Sequence, residues 1–84
     1  MRGAIINRNV EYGVFKRFYD GYYQFVMDKG DILVFDEISR LASNRFDLTS
    51  NQFQGKSFEI TYSEYIEDED EDFVMYKIEK LELA

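Results

Sequence analysis

Residues 12–27 read Tyr12-Gly13-Val14-Phe15-Lys16-Arg17-Phe18-Tyr19-Asp20-Gly21-Tyr22-Tyr23-Gln24-Phe25-Val26-Met27, two aromatic-rich runs joined by Asp-Gly. An Asp-Gly pair in that setting predicts a two-residue hairpin, because a type I′ turn needs positive φ at both central residues. The flanking aromatic and β-branched residues suit a pleated, half-buried surface. The stretch therefore predicts two antiparallel strands with their turn at 20–21.

Upstream, Gly3–Ile6 and Val10–Tyr19 form one apolar segment that runs past the polar Asn7-Arg8-Asn9. Downstream, Asp28-Lys29-Gly30-Asp31 predicts a turn and Ile32–Ile38 a third strand. In 39–55 the pattern changes. Ile38, Leu41 and Ala42 stand at helical spacing, Ser39 or Asp36 is placed to cap, and Asn44 or Gly55 to end a helical turn. One short helix or an irregular crossover is expected there, held to the core by Phe46, Leu48 and Phe53. In Lys56–Ile66, Phe58, Ile60 and Tyr62 alternate with polar residues, the period of a strand with one dry and one wet face. In Phe73–Leu83, Val74, Tyr76 and Ile78 alternate, and the apolar phase then slips to Leu81 and Leu83, which predicts a bulge or bend.

The order strand, strand, strand, short helix or loop, strand, strand predicts a mainly β, five-stranded small barrel of OB-like topology, with an SH3-like or PUA-like barrel as the alternative. There is no internal repeat, no proline and no Gly/Ser linker, so residues 1–84 are expected to form one domain. A domain of this size buries roughly 60–65% of the surface of its unfolded chain, which leaves little room for a deep cleft.

Composition narrows the chemistry. The chain holds no cysteine and no histidine, so thiolate nucleophiles, disulfides, Cys-ligated zinc and the usual general base are absent. A small domain without disulfide staples, without an apolar leader and without a membrane-length apolar run is expected in the cytoplasm, off the membrane. Net charge is −7, distributed as +1 over residues 1–56 and −8 over residues 57–84. That balance disfavours a global attraction to nucleic acid while permitting a local basic patch on the first part.

Two features stand out. Glu67-Asp68-Glu69-Asp70-Glu71-Asp72 is an unbroken acidic run. Asp68, Asp70, Asp72 and Glu79 have the spacing of positions 1, 3, 5 and 12 of an EF-hand loop, but Phe73 takes the place of the required glycine and the flanks read as strands. The run is expected to be a solvated hairpin loop that keeps the last two strands from aggregating, and at most a weak collector of divalent cations; no ordered metal site and no cofactor is expected. The second feature is the aromatic and basic hairpin itself. Tyr12, Phe15, Lys16, Arg17, Tyr22 and Tyr23 combine rings that stack bases with cations that meet phosphates, so they are the candidate nucleic-acid-binding residues. The competing reading makes most of these rings core, since a thin barrel without tryptophan must fill its interior with Phe and Tyr.

Gly3-Ala4-Ile5, Asn7 and Tyr12-Gly13-Val14-Phe15, followed by Gly30-Asp31-Ile32-Leu33-Val34-Phe35, resemble the skeleton of a cold-shock domain, an OB-fold that binds single strands. Tyr12-Gly13 resembles the aromatic-glycine step of its first RNA-binding motif; Val10 and Glu11 stand where that family has lysine and glycine. Residues 30–37 with Gly55-Lys56-Ser57-Phe58-Glu59-Ile60-Thr61-Tyr62 are also similar to the later strands of ASCH domains, small PUA-like barrels proposed to bind RNA. Both resemblances imply a small barrel.

The functional expectation is a non-enzymatic binding or adaptor module acting through a protein partner. The alternatives are single-stranded nucleic-acid binding through the 12–25 hairpin and an acidic DNA-mimic inhibitor. A homodimer is a further possibility, because exposed rings and edge strands favour self-association.

Overall fold

A computed structural model describes residues 4–66 and 74–84. The elements are β1 (Ala4–Tyr19), β2 (Tyr22–Met27), β3 (Ile32–Phe35), β4 (Glu37–Ile38), α1 (Arg40–Arg45), a 3-10 turn (Asn51–Phe53), β5 (Ser57–Ile66) and β6 (Val74–Leu83). They form one mainly β sheet in the order β3-β2-β1-β5-β6-β4, antiparallel except where β4 runs parallel to β6. The sheet curls into a half-barrel compatible with an OB-like fold.

The Asp20-Gly21 turn forms as expected, with φ of 55° and 85°. The long β1 serves two partners: residues 4–14 pair with β5 and residues 13–19 with β2. Its pairing with β2 runs Val14↔Val26, Phe15↔Phe25 and then Arg17↔Gln24, so Lys16 is the extra residue of a bulge. A bulge sharpens local twist and bends the strand. Gly13 lies at this crossing of partners. A Cβ there would meet the Met27 sulfur at 2.8 Å and the Val26 carbonyl at 3.2 Å, so a larger residue requires the Met27 side chain to move and the strands to give slightly.

The core is aromatic, as a tryptophan-free barrel requires. Phe15, Phe25, Phe35 and Phe58 are fully buried, with Met27, Ile60, Ile78 and Leu81 around them. Phe25 sits at the centre, its ring centroid 5.2, 5.5 and 6.1 Å from those of Phe15, Phe35 and Phe58. Phe46 and Leu48 close the core and Phe53 packs against it, as expected of the 39–55 segment.

The third expected strand, 32–38, is divided, which corrects the count from five strands to six. Asp36 interrupts it. Its N–H donates to the Tyr76 carbonyl and its carboxylate accepts the Tyr76 N–H, both at 2.8 Å. The chain thereby leaves β2 and joins β6, pairing Glu37↔Lys77 and Ile38↔Ile78. Ser39 continues the junction. Its N–H donates to the Ile78 carbonyl (2.8 Å), its hydroxyl donates to the Glu79 carbonyl (2.6 Å), and its oxygen caps α1 by accepting the Ala42 N–H (3.1 Å). The phase slip read in the last strand is a bulge at Glu79: Tyr62 pairs with Ile78 and Thr61 with Lys80. The Glu79 carboxylate accepts the hydroxyl of Ser63, a polar side chain only 1% exposed, at 2.8 Å. No helix among the described residues is long and apolar enough to cross a membrane.

Candidate binding face

The register separates the hairpin residues onto two sides. Gly13, Phe15, Tyr23, Phe25, Met27, Leu33 and Phe35 point inward, and Tyr12, Val14, Arg17, Tyr19, Tyr22, Gln24, Val26, Ile32 and Val34 outward. The Lys16 bulge causes the change of parity in β1: without it Arg17 would point into the core and Phe18 out.

Of the six residues singled out as nucleic-acid ligands, Phe15 is corrected to a core ring, since it is 0% exposed and packs at a tilt against Phe25. Tyr23 faces inward with it, half-buried and 4.9 Å from the ring of Phe18; burial, with Asp47 nearby, raises its pKa. Tyr12 is exposed but sits at the far end of the face from the hairpin tip, where its hydroxyl donates to Glu59 (3.3 Å). The adjacent Glu59 charge is the main reason its pKa is raised. Arg17 and Tyr22 lie toward the tip, and Lys16 is the exposed residue of the bulge behind them. There the Arg17 guanidinium lies 4.8 Å from the ring centre of Tyr19, its Nε donates to Gln24 (3.2 Å), and Tyr22 stands directly opposite Tyr19. Tyr19, 59% exposed, was not among the sequence candidates; the Asp-Gly turn two residues ahead of Tyr22 is the signal that pairs the two rings.

Between the tip and the other end lies a row with no charge. Val14, Val26 and Ile32 are register partners across β1, β2 and β3, and Val34 is one step along on β3. Val26, Ile32 and Val34 are 37%, 52% and 39% exposed. Sequence periodicity missed this row, because Ile32-Leu33-Val34-Phe35 is apolar at every position and does not show which side faces out. Beyond the row the face turns acidic, with Glu59 beside Tyr12 and Asp28 and Asp31 in the β2–β3 turn. A shallow open hollow of about 320 Å³ lies there, lined by Glu11, Tyr12, Asp28 and Lys29. Lys29 is 3.8 Å from Glu11, whose carboxylate also accepts the hydroxyl of the buried Tyr62 (3.1 Å). The face thus runs from cationic and aromatic, through aliphatic, to anionic.

The described residues contain no cluster of three or more potential metal ligands. Asp68, Asp70 and Asp72, the weak divalent-cation candidates, lie outside the described residues, as does the rest of the acidic run 67–72, which supplies six of the ten acidic residues behind the DNA-mimic reading.

The class that the fold defines is a small, mainly β half-barrel with a three-strand outer face left uncovered by any other described element. Comparison with protein-family models, with curated proteins and with solved structures found no match, so the cold-shock and ASCH resemblances rest on the residues quoted for them.

Proposed function

We propose that this chain is a non-catalytic binding module that acts through a protein partner, and that the partner contacts the outer face of β1, β2 and β3. The observation that carries the reading is the uncharged row Val14–Val26–Ile32, flanked by Val34 and rimmed by Arg17 at one end and Asp28 and Glu59 at the other. An apolar centre with a polar, charged rim is the anatomy of a protein contact, and contiguous exposed aliphatic side chains on a soluble domain mark such surfaces. The chain holds neither histidine nor cysteine, so the commonest general base and the thiolate nucleophile are both missing, which supports the non-catalytic reading. The test is site-specific photo-crosslinking, with the reactive side chain placed at Val26 or Ile32 and, as control, at Gln52 on the 3-10 turn. The reading expects polypeptide adducts of discrete mass from the first two positions only. Equal labelling at all three, or none, refutes it.

A second reading is single-stranded nucleic-acid binding at the hairpin tip, favoured by the Arg17–Tyr19 stack with Tyr22 beside it. Two exposed rings and two cations offer a site for one or two nucleotides, which is weak alone. A backbone-amide titration with short oligonucleotides at low salt tests it: shifts confined to residues 16–24 that fade as salt rises support the reading, and an unmoved spectrum removes it.

A further inference from the structure

The charge pattern of the outer face says which partner fits it. Along β1 the outward positions are Tyr12, Val14 and, after the bulge, Arg17. Tyr12 has Glu59 beside it on β5, and Asp28 follows directly on β2. The cationic and anionic ends therefore lie one step to either side of the aliphatic row. A twofold axis laid along that row, across the strands, inverts strand direction and keeps each strand over its own copy. Val14, Val26 and Ile32 then meet themselves, and Arg17 lands over the Tyr12 and Glu59 positions of the other copy, twice by symmetry. The other in-plane twofold, along β2, sets Asp28 over Asp28 and Arg17 over Val34, pairing like charges and burying a cation on an aliphatic surface. The polarity of the face thus selects one isologous, antiparallel arrangement.

We propose that the partner of this face is a second copy of the chain, stacked face to face about a twofold axis along Val14–Val26–Ile32, with Arg17 of each copy paired to Glu59 of the other. This rests on the reading of the face as a protein contact and names its occupant. The patch is small. Three strands about 4.8 Å apart and seven residues at about 3.3 Å each give a patch of roughly 14 by 23 Å. Two such patches fall well short of the ~1,600 Å² of stable complexes, and two chains of net charge −7 repel, so the dimer is weak and reversible, with a dissociation constant on the order of 0.1–1 mM.

The experiment is sedimentation velocity of the intact chain from roughly 10 μM to 1 mM at physiological salt, where charges beyond about 8 Å are screened and only contacts of this kind persist. The proposal expects a reversible shift from monomer to dimer mass. Arg17→Glu and Glu59→Arg each abolish the shift by opposing like charges, and the double variant restores it, because the exchanged charges meet again across the axis. Val26→Lys abolishes it without rescue. Far-UV circular dichroism confirms that each variant is folded. A concentration-independent monomer overturns the proposal, as does a double variant no better than the singles. If the chain stays monomeric while crosslinks from Val26 reach a different polypeptide, self-pairing fails and the protein-contact reading stands. If neither dimer nor adduct forms, both fail.

Discussion

Phe25 and Val26 are adjacent in one strand, and the fold assigns them opposite fates. Phe25 is fully buried between Phe15, Phe35 and Phe58, whereas Val26 is 37% exposed on the outer face. Truncating a buried phenylalanine to alanine costs about 3–5 kcal/mol through lost transfer energy and the cavity left behind. An 84-residue domain has a total stability of about 4–12 kcal/mol, so Phe25→Ala removes a quarter of it or more. Val26→Ala leaves no cavity and gives up only strand propensity, less than about 1 kcal/mol. With a urea slope of about 1 kcal/mol per molar, the two midpoints differ by about 2 M or more. The assay is equilibrium urea unfolding followed by far-UV circular dichroism, which needs no tryptophan. Equal midpoint shifts for the two variants would refute the assigned register of β2, and with it the outer face on which the binding readings depend.

Other outcomes follow from the junctions. Gly13→Ala places a methyl group against Met27 and the Val26 carbonyl and should lower stability by about 1–3 kcal/mol, visible as a lower thermal midpoint. Ser39→Ala removes the cap of α1 and the donor to Glu79, for a loss of about 1–2 kcal/mol, with faster hydrogen exchange at the Ala42 amide as its local signature. Burial first, and then its hydrogen bond to Glu11, pushes the Tyr62 hydroxyl well above the ordinary tyrosine range. A group with a raised folded pKa lends stability that is fully present below the unfolded value near 10 and is lost as pH climbs beyond it, since only the unfolded chain then gives up the proton. Urea midpoints should therefore be flat in this respect from about pH 8 to 9.5 and fall above pH 10, and Tyr62→Phe should make that fall shallower.

Much of this architecture was legible in the sequence for local reasons. Asp20-Gly21 encodes its own turn, Ser39 and Ala42 encode the start of α1, and the polar-apolar alternation of 57–62 encodes a half-buried strand. Even the bulge at Glu79 is visible, because Ile78 and Leu81 cannot both face the core across an unbroken period of two. The candidate site was less legible. Phe15, Tyr22 and Tyr23 are chemically alike in the sequence, yet one is core, one is on the outer face and one is tucked beneath the tip.

Local patterns therefore fix five strand segments in order, the hairpin turn, a short helix or crossover over 39–55 and an interior rich in phenylalanine. Each of these follows from interactions between residues a few positions apart. Long-range pairing, by contrast, makes Lys16 the bulged residue that turns Arg17 and Tyr19 outward. The same holds for Asp36, which breaks the third strand to join β6, and for Val14, Val26 and Ile32, which form one outward-facing row with Val14 half-buried. Those outcomes depend on pairing between strands distant in the chain, where a shift of one residue exchanges the buried and exposed faces, and no local pattern carries that information.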